Sequence, residues 1–151
     1  MGLVVRFLVW GVPLSAASTA TTSFFFTRVN SISEAELDSL PYGVIQLDAE
    51  GGVLRYNAFE AGLSGLTKQR VVGKNFFKQV APCTDLQQFH GRFREGVAAG
   101  ELHCTFRFHF GFRQNPRDVT VTLFYNNRDK TIWVLVQPFE GKTTAEIWGR
   151  R

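Results

Sequence analysis

Residues 101–113, ELHCTFRFHFGFR, place Leu102, Cys104, Phe106, Phe108, Phe110 and Phe112 at every second position, with His, Thr, Arg and Gly between them. A period of two puts all six apolar side chains on one face of a β-strand, a pattern that a helix of 3.6 residues per turn cannot reproduce. A face that apolar needs neighbouring strands and a covering layer. The neighbours follow directly: DVTVTLFYN and TIWVLVQPF read as two more strands joined at NNRDK.

Upstream, GVIQLDAEGGVLRYN holds two short apolar runs, 44–47 and 53–56, around an Asp-Ala-Glu-Gly-Gly turn, which predicts a hairpin. NAFEAGLSG and TKQRVVGKNFF, punctuated by Gly62, Gly65 and Gly73, suit single helical turns and loops. The clearest helix follows Asp85, a good N-cap, with Leu86, Phe89, Phe93 and Val97 at spacings of three and four and Gly100 at its end. NSISEAELDSL predicts a short helix, with Ser31–Glu34 and Ser33–Glu36 each fitting a capping box. The order predicts an α+β domain, an antiparallel five-stranded sheet with short helices on one side.

A chain of 151 residues with 44% hydrophobic content supports one domain with a core, and 15 phenylalanines make that core one of rings. The net charge of +4 is mild and comes without a long basic run, so no nucleic-acid partner is expected. Two cysteines do not make a disulfide scaffold. His90, His103 and His109 lack metal-ligand spacing with either cysteine, so no metal site is expected; His103 and His109 belong to the wetter face of their strand.

The first thirty residues are different in kind. Their apolar run is broken by Arg6 and Pro13 and is too short for a membrane span. LSAAS resembles a cleavage site, yet Arg6 is misplaced for a signal peptide. The expected division is therefore a tail at 1–30 (a weak targeting-like segment or a start assigned too early), a domain at 31–139 and a C-terminal extension at 140–151. No membrane span is expected.

In NFFKQVAPCTD, residues 75–85, a lone Cys83 follows Pro82. Such a thiol is inert filler, a nucleophile or an attachment point. A helix N-terminus lowers a thiol pKa, and Asp85 as N-cap would put Cys83 near one. Pro82 fixes its own φ and biases Ala81 to extended geometry, so the position is held stiffly.

GVIQLDAEGGVLRYNAFEAGLSG, VVGKNFFKQVAPCTD and FHGRFREGVAAG together closely resemble the photoactive yellow proteins, small blue-light sensors of the PAS fold, over roughly residues 37 to 137. The resemblance implies a PAS photosensor domain carrying p-coumaric acid (4-hydroxycinnamic acid) as a thioester on Cys83. It implies that Tyr56 and Glu60 donate hydrogen bonds to the chromophore phenolate, Glu60 as a neutral acid. That placement makes physical sense if Asn57 caps a helical turn that points both into one pocket. A phenolate in an apolar pocket must receive such bonds.

By match, Phe110 packs on the chromophore and Ser64 keeps the hydroxyl of a usual threonine. Leu66 replaces a shielding arginine, Gln114 replaces a methionine linked to thermal return, and Pro116 keeps the loop's proline. The implied cycle is trans-to-cis isomerisation in blue light, proton transfer from Glu60, and partial unfolding around the new carboxylate. The implied protein is cytoplasmic, a monomer or weak dimer, and addresses a downstream signalling partner that the sequence does not name. Two rivals differ in class. A chromophore-free PAS interaction module would keep the fold and leave Cys83 bland. An enzyme with Cys83 as nucleophile needs a base, and His90 lies about two helical turns away; the chain is not expected to be an enzyme.

Overall fold

Alternation on the third strand is realised almost residue for residue. In a computed structural model that describes residues 25–111 and 116–139, strand β3 spans His103–Phe110. Its odd positions are exposed, while Cys104, Phe106, Phe108 and Phe110 turn inward. Phe112 and Gln114 lie outside the described residues, as do 1–24 of the tail and the extension 140–151.

The other strands are β1 (Gly43–Leu47), β2 (Val53–Tyr56), β4 (Arg117–Asn126) and β5 (Thr131–Pro138). They form one five-stranded antiparallel sheet in the order β2-β1-β5-β4-β3. Register brings Tyr56, Ile45, Val134, Leu123 and Cys104 into one row across all five strands. Residues directly opposite each other share a face, so this row lies on the side that carries the core. The β1–β2 turn is held by Asp48, whose Oδ1 accepts from the Glu50 and Gly52 N–H groups at 3.0 and 2.7 Å. That is the local chemistry expected of an aspartate in a turn.

Between β2 and β3 lie α2 (Ala58–Ser64), α3 (Lys68–Val71) and α4 (Arg92–Ala99); α1 (Glu34–Ser39) precedes β1. NAFEAGLSG thus becomes a seven-residue helix. It ends because Gly65 adopts φ 79° and its N–H bonds the Ala61 carbonyl, a left-handed cap that favours glycine. The connecting segment contributes Val71, Phe76, Phe77, Phe89 and Phe93 to the core beneath the sheet. Phe77, Phe89 and Phe93 meet at centroid distances of 5.0–5.8 Å, within the range of favourable aromatic pairs.

Helix α1 begins at Glu34, so the Ser33–Glu36 register is the one that fits a capping box, and Ser31 lies outside it. The chain divides into two compact units at this point, one reaching Ser33 and one starting at Glu34. The first is described from residue 25 and holds one helical turn at 25–28.

Asp85 does not cap the long helix. Pro82 nucleates a single 3₁₀ turn, Pro82–Thr84, and Asp85 closes it with its N–H on the Pro82 carbonyl. The chain then extends through Leu86, makes a wide π-type turn at Gln87–Gly91 and only afterwards enters α4. The Asp85 carboxylate is bound instead by His90 Nδ1 at 2.7 Å. Leu86, expected on the buried face, is 55% exposed. Cys83 therefore sits on a short turn of its own and not, as expected, beside an N-cap at the positive end of the long helix.

Candidate functional site

The site is organised around Asn57. This residue ends β2, and its Oδ1 accepts from Glu60 N at 3.1 Å, which starts α2. The same oxygen accepts from Val44 N at 2.9 Å. Its Nδ2 donates to the Leu37 and Tyr42 carbonyls at 2.7 and 3.0 Å. One buried amide thus ties α1, β1 and α2 together and satisfies its donors and acceptor as a buried group must.

With the helix started there, Tyr56, Glu60 and Ser64 point inward, all buried. The Tyr56 hydroxyl lies 2.8 Å from Ser64 Oγ, and Ser64 Oγ also accepts from Leu66 N at 3.1 Å. Burial pushes the Tyr56 phenol well above its ordinary pKa; the neighbouring Glu60 adds to this and the Ser64 bond opposes it. Glu60 is 2% exposed and its carboxyl is pushed up to about 8 by burial, against the opposing field of Arg117. Both acids are therefore protonated donors at neutral pH.

Glu60 Oε1 is buried with no hydrogen-bond partner. The carboxyl sits over Gly43, where a β-carbon would collide with it. The glycine leaves room for an acid that the fold itself does not satisfy. A buried polar atom without a partner costs free energy and calls for an explanation, such as a ligand that accepts its proton.

Cys83 is unpaired and half-buried on the Pro82–Thr84 turn, and it packs against the core that includes Tyr56 and Phe110. Pro82 itself is exposed, so it acts on the backbone alone. Beneath it Thr84 is fully buried, its hydroxyl donating to the Ala81 carbonyl at 2.7 Å, which holds the turn closed. Cys83 walls an open cleft of about 600 Å³ with Leu86, Gln88, Arg107, Phe108 and His109. The cleft does not reach Tyr56 or Glu60. Phe110 is buried with its ring 5.3 Å from that of Phe108. Leu66 packs its side chain against the same core, and Pro116 is exposed.

His90 is bound to Asp85 and stacked on Phe77 at 3.9 Å, so its ring is engaged away from the thiol. His103 and His109 lie on the exposed side of β3, and His109 bonds Asp118 at 2.8 Å. Arg117 was not singled out from the sequence. The signal was strand parity: Leu123, Val121 and Val119 all face the core, and the next inward position is 117.

The arrangement gathers two neutral donors, Tyr56 and Glu60, in an apolar enclosure, with a thiol at the edge of the same core. Two neutral buried donors suit a hydrogen-bond acceptor, and best an anionic one. A family model described as PAS fold matches residues 33–139. A photoactive yellow protein from Halochromatium salexigens is 45% identical over 107 residues, covering 71% of this chain and 86% of that protein. One from Rhodothalassium salexigens is 44% identical over 106 residues, covering 70% and 85%. Among solved structures, the photoactive yellow protein domain of the sensor histidine kinase Ppr from Rhodospirillum centenum superposes with a TM-score of 0.70 at 40% identity, covering 74% of this chain and 97% of that one.

Proposed function

Because the chain belongs to the photoactive yellow protein family of PAS-fold domains, we propose that it is a blue-light photoreceptor that carries p-coumaric acid as a thioester on Cys83. The observation that carries this reading is the buried, partnerless Oε1 of Glu60, on the helix that directly follows the equally buried Tyr56. A phenolate oxygen between them would receive both protons' hydrogen bonds, and Glu60 would complete a set that the fold leaves open.

When bound, the acyl group would supply visible absorption, a double bond that isomerises in light, and a phenol oxygen that takes up a proton. Everything else falls to the chain. The Cys83 thiol holds the acyl group, stiffened by Pro82 and the Thr84–Ala81 bond. Tyr56, oriented by Ser64, donates one hydrogen bond. Phe110 packs against the ring. Glu60 donates the second bond in the dark and releases its proton after light.

Loss of that proton leaves a carboxylate in an apolar site, at an effective cost of several kcal/mol for a buried ion. Glu60 lies on Gly43, and Asn57 joins the same helix to β1 and α1, so the seam between α2 and β1 is where the strain acts. Local opening there relieves it and turns proton transfer into a change of shape. The output would be read by a signalling partner; one relative occurs as a domain of a sensor histidine kinase. No helix among the described residues is long and apolar enough to cross a membrane. A cytoplasmic location belongs to this proposal.

Reconstitution of purified protein with an activated ester of p-coumaric acid tests the reading. A yellow adduct with the mass of one coumaroyl group on Cys83, bleaching reversibly in blue light, is expected. A folded protein that stays colourless would instead be a chromophore-free PAS interaction module.

A further inference from the structure

Between Thr84 and Phe89, both fully buried, the residues 85–88 are all exposed. They carry the downstream end of the turn that holds Cys83. Upstream, the turn is secured by the Thr84 hydroxyl on the Ala81 carbonyl. Downstream, Leu86 is 55% exposed and adds no apolar anchor. The side-chain anchor nearest the thiol on that side is Asp85, two residues on, whose Oδ1 meets His90 Nδ1 at 2.7 Å.

A carboxylate only accepts, so Nδ1 carries the proton of this bond. The His90 bond holds the Asp85 carboxyl below its ordinary value against desolvation, with Lys78 and Arg94 adding lesser pulls. The acceptor is therefore charged at neutral pH, which strengthens the bond. The imidazole is fixed in turn. It lies flat on Phe77, with centroids 3.9 Å and planes 5° apart, and its side chain is only 13% exposed. Phe77 is buried and packs against Phe89 and Phe93 at 5.8 and 5.0 Å. A line of contacts thus runs from the core through Phe77 and His90 to Asp85, and ends two residues from the thiol. A phenylalanine at 90 would keep the stack without the donor, and an asparagine would keep a donor without the stack.

We propose that His90 and Asp85 are positioning residues for Cys83, a clamp that ties the thiol's turn to the aromatic core through Phe77. In the protein without an acyl group, the clamp limits how far the turn opens toward the cleft that Cys83 walls. The consequence for the loaded protein rests on the photoreceptor reading. There the clamp fixes the attachment point, and with it the place of the tethered ring relative to Tyr56 and Glu60, since a site is only as precise as the side chains that support it.

The test is the reaction of Cys83 with iodoacetamide, a neutral thiol reagent, in the full chain carrying Cys104→Ala so that one thiol remains. Rates are compared at the high-pH plateau, where the thiol is fully ionised and a change in its pKa no longer counts. His90→Phe is expected to react about three- to tenfold faster, the size of a charged hydrogen bond at partial exposure. His90→Asn, with an amide donor near the place of Nδ1, is expected to return the rate toward the parent. Asp85→Ala should match His90→Phe, and the double variant should react no faster than either, as for one coupled pair. Asp85 is exposed, so Asp85→Ala gives the comparison should His90→Phe not fold. In coloured protein, His90→Phe is expected to shift or broaden the visible band and His90→Asn to restore it. The thiol rates decide the clamp whether or not colour forms on reconstitution. Equal plateau rates in the parent and a folded variant lacking the bond overturn the proposal. So do fully additive effects in the double variant, or a rate increase matched by an equal loss of global stability in urea.

Discussion

The hydroxyls of Tyr56 and Ser64 meet at 2.8 Å inside the core, one at the end of a strand and the other at the end of the helix that follows it. The helix between them, started by Asn57, fixes both ends. In protein without an acyl group, Tyr56→Phe removes one hydrogen bond and leaves Ser64 Oγ still accepting from Leu66 N. Stability in urea should fall by only about 1 kcal/mol. In coloured protein the same change leaves the phenolate one donor short, so its pKa should rise and the band should shift. An unchanged spectrum across a pH titration counts against Tyr56 as a donor.

Burial does not distinguish the two cysteines, since Cys83 and Cys104 are both unpaired and half-buried. Position does. Cys104 lies opposite Leu123 in the inner row of the sheet, whereas Cys83 walls an open cleft. Cys83→Ala should fold and stay colourless on reconstitution, and Cys104→Ala should colour normally. A covalent adduct on Cys83→Ala protein, seen by mass spectrometry, would overturn the assignment.

Strand β3 was legible because burial writes a period of two into it, as Cys104 to Phe110 show, whereas β1 and β5 are buried almost throughout and were legible as short apolar runs. Asn57 was legible as a cap because its chemistry is local. The start of the long helix was not legible. Asp85 has the right residue type, but Pro82 begins a turn three residues earlier and His90 takes the carboxylate. Competition of that kind depends on neighbours brought in by folding. Arg117 was hidden for a different reason: its inward direction follows only when the parity of β4 is counted from Leu123, and the charge itself suggests a surface position.

Asn57 links three elements through four hydrogen bonds with Glu60, Val44, Leu37 and Tyr42. Asn57→Ala strands the Tyr42 carbonyl and the Val44 and Glu60 N–H groups, while the Leu37 carbonyl keeps its bond from Leu40 N. A loss of at least about 2 kcal/mol in urea unfolding is expected, given 1–3 kcal/mol per stranded buried group and partial rescue by water. A loss below about 0.5 kcal/mol, the size usual for surface substitutions, would mean that Asn57 does not organise the site.

Gly43→Ala tests the packing of Glu60 without touching its chemistry. The added methyl collides with the Glu60 carboxyl, so that side chain must turn away or the strand must shift. A stability loss of roughly 1–3 kcal/mol is expected from such overpacking. The accompanying signature is a Glu60 carboxyl that titrates closer to its ordinary range, since displacement toward water lowers the desolvation that holds it up. A Glu60 midpoint identical to that of the parent would show that the acid does not rest on Gly43.

Glu60→Gln separates the cost of the buried acid from the rest of the fold. In the parent, the folded carboxyl titrates at about 8 against an ordinary value of 4.5. The folded state therefore holds a proton that the unfolded state has lost between these values. Stability is greatest below 4.5 and falls as pH rises toward 8, by about 1.4 kcal/mol per pH unit where the difference is a full proton. Glutamine keeps a donor of similar shape and does not ionise, so the slope in this window should flatten in Glu60→Gln protein without an acyl group. In coloured protein the variant should still isomerise, yet form no carboxylate, and the light-induced gain in hydrogen exchange around α2 and β1 should shrink. An undiminished gain in the variant would remove buried charge as the driving force and leave the changed shape of the acyl group, pressing on Phe110, to drive the opening.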